Sequence, residues 1–254
     1  MHFTAVERPL TIIGSYVSPY VRKVLACMNL KGIGYEVDPI TPFFGDEEFR
    51  RRSPLCRIPV LIDGDFSISD SSVICAYLDE KYPGHALLPA DPEDRARARW
   101  LEEFADTRLG DLFIWNLFYQ KVVRPLVWGE PSDEERIQKS LNEDIPAALD
   151  YLEQELPADG FLFGEIGAAD IAVASFFRNG AYAGFETDAG RWPRTAAFVE
   201  RTLAHPAIAS LLKYEDVQRS AEIKSRRQAL LDAGAPLTEE TMGLREPRRG
   251  MMRL

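Results

Sequence analysis

With 254 residues, 46% of them hydrophobic, the chain is long enough to bury one large core or two ordinary ones. Its 40 acidic side chains against 30 basic ones leave a formal charge of −10, which argues against nucleic acid or an anionic membrane surface as the main partner. Cys27, Cys56 and Cys75 are odd in number and form no CxxC pair, so no disulfide framework is expected and a reducing cytosol fits best. The scattered His2, His85 and His205 leave zinc without support, and neither a signal core at the start nor a membrane-length apolar window occurs.

The first patterned stretch, residues 10–27 (LTIIGSYVSPYVRKVLAC), predicts a short buried strand, a tight polar turn and a helix. Thr11, Ile12 and Ile13 are β-branched and run into Gly14. Ser18 then supplies a side-chain oxygen at the N-cap and Pro19 the first helical position, with Val21, Val24, Leu25 and Met28 on one apolar face. The free N–H groups and positive end of such a helix favour an anion, so a thiolate beside Ser18 would be stabilised there; a serine in this place equally reads as a plain cap.

After a break at residues 31–34, Tyr35, Val37 and Ile40 alternate as a second strand, which makes a right-handed βαβ unit with parallel strands. Residues 43–53 are polar and end in Arg50, Arg51 and Arg52, a short solvated helix or an irregular segment. IPVLID, the Asp63-Gly64 turn and DFSIS predict a hairpin, followed by a helix from Asp70 or Ser71 through Ile74 and Leu78 to Tyr82. A parallel first pair and an antiparallel hairpin require one mixed sheet. Pro83 and Gly84 close this first domain, residues 1–84, and a proline-bearing linker, residues 85–94, follows.

Residues 95–225 predict an all-helical second domain. Trp100, Leu101, Phe104, Leu109, Leu112, Phe113 and Leu117 recur at helical spacing, and a second helix over 132–156 is bent or divided by Pro146. Residues 168–181 are apolar on nearly all sides, as at the centre of a bundle. Shorter helices are expected over 191–203 and 206–212, and a charged one from 215 to 233. The end of the chain, residues 226–254, is expected to form an extended basic tail unless it packs back on the body.

The order βαβ-ββα, a proline-rich linker and a helical second half resembles the cytosolic glutathione S-transferases over residues 10–217. Ser18-Pro19-Tyr20 looks like the point where serine-type members place an activating hydroxyl and cysteine-type members a nucleophilic thiol. SPLCRIPVL, residues 53–61, is similar to the family segment that carries a cis-proline, here Pro59. Asp70-Ser71 stands where the family has an acidic residue and a serine that hold the γ-glutamyl end of glutathione. GEIGAADIAVASFF is similar to the capped core helix of the second domain, with Gly167 where a hydroxyl cap is usual, a change worth on the order of a few tenths of a kcal/mol. Serine at position 18 places the resemblance with zeta/omega-like bacterial members and argues against mixed-disulfide reduction, which needs a thiol there.

The resemblance implies an α/β thioredoxin-like N-terminal domain with a mixed four-stranded sheet, an all-α C-terminal domain, a cytoplasmic location and a homodimer. It also implies glutathione as co-substrate and a small hydrophobic electrophile. Glutathione carries an amine, two carboxylates and a thiol, so its site needs an acid and several donors. Ser18 would donate a hydrogen bond to the sulfur as it ionises, with Tyr16 as the rival hydroxyl. Ile58 and Pro59 would meet the cysteinyl peptide, Asp70 the amine and Ser71 the γ-glutamyl carboxylate. Arg57, or one of Arg50 to Arg52, would meet the glycyl carboxylate. Tyr16, Phe113, Trp115, Tyr119 and Trp128 are the aromatic residues expected around the electrophile, although aromatic stripes at helical spacing also build cores. A non-catalytic scaffold using the basic tail, and a glutathione-dependent lyase or isomerase, are the rival readings.

Overall fold

The structure, a computed structural model, describes residues 9–249; the first eight residues and the last five, Arg253 among them, lie outside it. In chain order the first half forms β1 (Leu10–Ile13), α1 (Pro19–Lys31), β2 (Tyr35–Asp38), a 3-10 turn (Pro42–Phe44), α2 (Glu47–Arg52), β3 (Val60–Asp63), β4 (Phe66–Ser69) and α3 (Ser71–Lys81). The sheet order is β2-β1-β3-β4, with β1 parallel to β2 and antiparallel to β3, and β3 antiparallel to β4. Period-two alternation divides its faces. Leu10, Ile12, Val37 and Leu61 pack with α1 and α3, whereas Ile13 and Val60 pack with Ile40 and with Phe49 of α2. This is the thioredoxin-like mixed sheet that the hairpin signal and the βαβ unit require.

The second half is helical throughout: α4 (Pro92–Phe104), which passes directly into a wide π-type segment (Ala105–Trp128), then α5 (Glu134–Lys139), a wide turn (Ser140–Asp144) and α6 (Ile145–Glu155). It continues with α7 (Ala168–Tyr182), α8 (Pro193–Ala204), α9 (Pro206–Ser220) and α10 (Arg226–Asp232). Pro146 sits in the first turn of α6, directly after the wide turn, and the backbone stays helical on both sides of it, so the expected bend or division is a change of winding inside one helical run over 134–155. The helix expected from 215 to 233 is instead the end of α9, a break, and α10.

Helix α7 is buried along most of its length and packs on the π-type segment, on α4, on α8 and on α1. Gly167 caps it without a hydroxyl because a Cβ there would lie 2.8 Å from the carbonyl oxygen of Leu87. The carboxylate of Asp170 supplies the reciprocal half of the cap, accepting the N–H of Gly167 and the N–H of Leu162, each at 2.8 Å.

Residues 226–232 are helical, and the following residues fold back, with Leu237 bridging in parallel to Val37 and Gly243 antiparallel to Gly45. Backbone pairing to an open sheet edge holds this segment, and neither its composition nor its periodicity signals such a partner.

The two domains are joined through α1. Arg22 and Lys23 are buried and point into the helical half. Arg22 forms a bidentate pair with the buried Glu215 of α9, with Nη2 at 2.9 Å, and its Nη1 donates to the carbonyl of Ser175 at 2.6 Å. Lys23 Nζ reaches Glu102 at 2.9 Å, Asp106 at 2.6 Å and Ser72 Oγ at 3.0 Å. Burial pushes the Lys23 ammonium toward its neutral form, but Asp106 and Glu102 outweigh burial and raise its pKa above the ordinary lysine value.

Two outcomes follow from these buried groups. Glu215→Gln leaves the Arg22 charge buried without a counter-charge and should lower stability by about 3–5 kcal/mol in urea unfolding, with a smaller loss for the paired Arg22→Met, Glu215→Leu replacement. Burial, opposed by the N–H groups of Leu162 and Gly167, raises Asp170 from 3.8 to about 6. Between those values the folded chain holds a proton that the unfolded chain releases, so stability should fall as pH rises through that window. Asp170→Asn should flatten that part of a denaturation-against-pH profile.

Candidate active site

Three loops leave the sheet at one end. The register pairs Ile13 with Asp38 and with Val60, and Val60 with Ser69, so the turn after β1, the Ile58-Pro59 step before β3 and the Asp70-Ser71 step after β4 are neighbours. Gly14 is where they converge: a Cβ on it would meet Val21 Cγ2 at 2.5 Å and Ile58 Cβ at 3.3 Å. Only a residue without a side chain fits between the start of α1 and the loop before β3.

The turn after β1 carries four hydroxyls, and the fold treats them differently. Ser15 is buried; its Oγ donates to Gln218 Oε1 at 3.2 Å and accepts the Val17 N–H at 3.2 Å. Tyr20 donates to the carbonyl of Asp106 at 2.8 Å, above Gly110, where a Cβ would lie 2.5 Å from its oxygen. Tyr16, expected near the electrophile and as the rival activator, is buried against Tyr214 with ring centroids 5.2 Å apart. Burial raises its phenol well above the usual tyrosine range, and its hydroxyl is sealed from solvent. Ser18 is half-buried and caps α1, accepting the Val21 N–H at 3.4 Å, and among the described residues its proton is donated to none.

The other half of the site is the start of α3. Asp70, at φ +88° and exposed, caps the helix through one oxygen, Oδ1, at 3.0 Å from Ser72 N and 3.1 Å from Val73 N. Its Oδ2 is used by no described residue, and Ser71 lies buried in the first helical position. The Lys23–Ser72–Asp106 contacts tie this helix start to α1 and to the second domain. The Ile58-Pro59 bond is cis, and among the described residues no hydrogen bond uses the amide or carbonyl of Ile58. Ser53 Oγ closes the preceding loop, accepting from Arg57 N at 2.9 Å and donating to Arg57 O at 2.7 Å.

Arg57 is exposed and lies close enough to Tyr20 to lower that group's pKa, although burial raises it overall. Arg50, Arg51 and Arg52 are instead engaged by Glu47 and Glu48 on their own helix. Cys56 takes φ +52° and packs beside Ile13, Ile40, Phe49 and Val60.

The aromatic expectations divide. Phe113 belongs to the core, packed at a tilt against Phe177 at 5.0 Å and Phe185 at 5.2 Å, so it is corrected from pocket to packing, as is Tyr16. Trp115, Tyr119 and Trp128 are half-buried on the π-type segment and form a cluster with Phe43: Trp115 to Tyr119 5.7 Å, Phe43 to Tyr119 6.4 Å and Phe43 to Trp128 5.4 Å. Phe43 follows β2 and had no distinguishing signal in its polar stretch; the Ile13–Asp38 register places its turn at the same sheet end as Ser18.

The glutathione S-transferase N-terminal domain model matches residues 12–86 and the glutathione S-transferase C-terminal domain model residues 118–215. A glutathione S-transferase of Triticum aestivum is 39% identical over 87 residues, which is 34% of this chain and 40% of that protein. Glutathione S-transferase U8 of Arabidopsis thaliana is 31% identical over 177 residues, 66% of this chain and 70% of that protein. The crystal structure of a glutathione S-transferase from Rhodospirillum rubrum F11 superposes with a TM-score of 0.72 at 25% identity, covering 80% of this chain and 91% of that one. Both halves of the chain and their order around the sheet agree with these matches, and the chain belongs to the glutathione S-transferase family.

Proposed function

We propose that this chain is a serine-type glutathione transferase, with zeta/omega-like use of Ser18, that activates the glutathione thiol for attack on a small hydrophobic electrophile. The observation that carries this reading is the Ser18 hydroxyl at the start of α1, whose proton no described residue accepts, at the same sheet end as the start of α3 and the peptide of Ile58, which no described residue pairs. Three chemically different needs are served at one sheet end. The Ile58 amide and carbonyl offer a strand-like pair to the cysteinyl peptide of glutathione, with Pro59 fixing the loop. Asp70 Oδ2 offers an acceptor to the α-amino group, and Ser71 with the positive end of α3 offers donors to the γ-glutamyl carboxylate. Arg57, exposed and without an ion-pair partner among the described residues, serves the glycyl carboxylate.

In the reaction Ser18 donates to the sulfur. A hydrogen bond to a charged acceptor is worth roughly 1.5–3 kcal/mol, about one to two pKa units, enough to bring a thiol near 8.5 into the neutral range. The thiol proton passes to solvent, the sulfur pair forms the carbon–sulfur bond, and a leaving group departs with its electrons or the carbon takes up a proton. Ser15 and Tyr20 are already hydrogen-bonded within the protein and the Tyr16 hydroxyl is sealed from solvent, which favours Ser18 in this role. Trp115, Tyr119, Trp128 and Phe43 offer the apolar surface for the electrophile.

A homodimer is supported by the exposed apolar side chains Phe66 on β4, Val73 on α3 and Trp100 on α4. A cytoplasmic location accords with three free cysteines, and no described helix is long and apolar enough to cross a membrane.

Calorimetric titration of glutathione tests the reading. Wild type should bind at micromolar to millimolar strength, and Ser71→Ala should bind about tenfold more weakly. Ser18→Ala should keep glutathione affinity while kcat/KM falls between about tenfold and about a hundredfold. A wild-type chain that binds no glutathione overturns the proposal.

A further inference from the structure

Helix α4 is wound as an ordinary α-helix up to Phe104, and from Ala105 the chain takes the wider π-type winding. The change falls where α1 reaches across and takes hold of this helix. Tyr20 donates its hydroxyl proton to the carbonyl of Asp106 at 2.8 Å, and one turn further along α1 the Lys23 ammonium reaches Asp106 Oδ2 at 2.6 Å. Ser72, in the first turn of α3, donates to the same Oδ2 at 2.9 Å. Asp106 is therefore gripped twice from α1, once by its main chain and once by its side chain.

In an α-helix the Asp106 carbonyl would accept the N–H of Gly110, four residues on. The Tyr20 hydroxyl stands over that position, since a Cβ at Gly110 would lie 2.5 Å from the Tyr20 oxygen and 3.6 Å from Phe176 Cε1. A side-chain donor inserted there competes with the N–H of Gly110 for the carbonyl and favours the wider winding. The donor itself is held firmly: Tyr20 lies in the first turn of α1, two residues after Ser18, and its ring meets Phe176 of α7 edge-on at 5.2 Å. Winding with more residues per turn rotates every later side chain about the helix axis. The same bond therefore bears on the facing of Trp115 and Tyr119, whose half-buried rings lie 5.7 Å apart further along the segment.

We propose that Tyr20 is a positioning residue for the electrophile: by drawing the Asp106 carbonyl out of the α-helical ladder at Gly110, it sets the winding of Ala105–Trp128 and with it the orientation of Trp115 and Tyr119. The proposal rests on the transferase reading above, since it adds a residue to that same site. It also separates two affinities. Lys23 and Ser72 still hold the Asp106 carboxylate when the Tyr20 hydroxyl is removed, so the start of α3 and the groups it offers to glutathione keep their places. The surface offered to the electrophile follows the winding and does not.

The test measures binding of glutathione and of S-hexylglutathione, whose alkyl chain stands for the electrophile, by calorimetry, together with amide hydrogen exchange over residues 105–118. Full-length wild type is compared with Tyr20→Phe, which removes the hydroxyl alone, with Gly110→Ala, whose Cβ drives that hydroxyl off the carbonyl, and with the double variant. Tyr35→Phe, which removes a hydroxyl bonded to Asn29 Oδ1 at 3.1 Å, is the control. Tyr20→Phe and Gly110→Ala should each weaken S-hexylglutathione about fivefold and speed exchange over 105–118 by about the same factor, the scale of one hydrogen bond, with glutathione affinity unchanged. The double variant should be no weaker than either single one, because both break the same bond, and Tyr35→Phe should alter the affinity of neither ligand. Equal weakening of the two ligands by Tyr20→Phe, or unchanged S-hexylglutathione affinity, or unchanged exchange, makes the hydroxyl a fold contact alone and overturns the proposal while the transferase reading stands. If wild type binds neither glutathione nor its conjugate, both fall together.

Discussion

Two adjacent cations on one helix, Arg22 and Lys23, cannot stay buried unless acids come to meet them, and the acids are supplied by the other domain. Glu215 arrives on α9, Glu102 at the end of α4 and Asp106 on the π-type segment. Helix α1 thus belongs to both halves: its apolar face packs on the sheet, and its charged face is completed only by the helical domain. The turn that opens α1 is pinned from the same direction. Gln218 accepts from Tyr16 N–H at 2.8 Å and donates to Pro39 O at 3.0 Å, and Asn179 donates to Val17 O at 3.0 Å. The position of Ser18 is therefore a property of the two-domain body, although every residue of the turn lies in the first domain.

The same constraint explains which polar groups remain for a ligand. The hydroxyls of Ser15 and Tyr20 are taken by partners reaching across the domain boundary, Gln218 and the carbonyl of Asp106. At one end of the sheet, the Ser18 proton, the second oxygen of Asp70 and the peptide of Ile58 are used by no hydrogen bond among the described residues. Helix starts and an unpaired peptide can serve there because a bound molecule replaces water as their partner. Asp70 and Cys56 are the non-glycine residues with left-handed φ among those described, and both lie in the loops around that opening. Backbone conformations of this kind persist where the surroundings over-determine them.

The two edges of the sheet are handled differently. Beside β2 the C-terminal segment supplies a backbone partner at Val37 and hydrogen bonds to the Asp38 carboxylate, covering part of an edge that would otherwise invite pairing with another chain. Beside β4 the aromatic ring of Phe66 stays partly exposed and packs on Tyr77 at 5.0 Å. One edge is thus closed within the chain, and the other presents side chains outward.

Local signals carried much of this in advance, because strand, turn and helix ends depend on neighbours in sequence. The β-branched run into Gly14, the Ser18-Pro19 helix start, the Asp63-Gly64 hairpin and the Asp70-Ser71 cap each act within a few residues, and each was legible. The motif order then pointed to the family. Core and half-exposed aromatics could not be separated in the same way, since the whole segment from Trp100 to Trp128 is aromatic, and only the fold shows Phe113 buried against Phe177 and Phe185 while Trp115 stays half-buried beside Tyr119. Phe43 gave no signal because its partners are 76 and 85 positions away, at Tyr119 and Trp128. The tail read as an extended basic arm because its composition is that of one; its anchors are Asp38, Glu47 and Glu130, all distant in sequence. What the sequence determined by itself was the set of short-range elements, their order and the residues that open each helix. Which hydroxyls of the turn are tied up, which aromatic rings are buried in the core and where the tail lies were decided only by tertiary structure, because each depends on a long-range partner that no local pattern encodes.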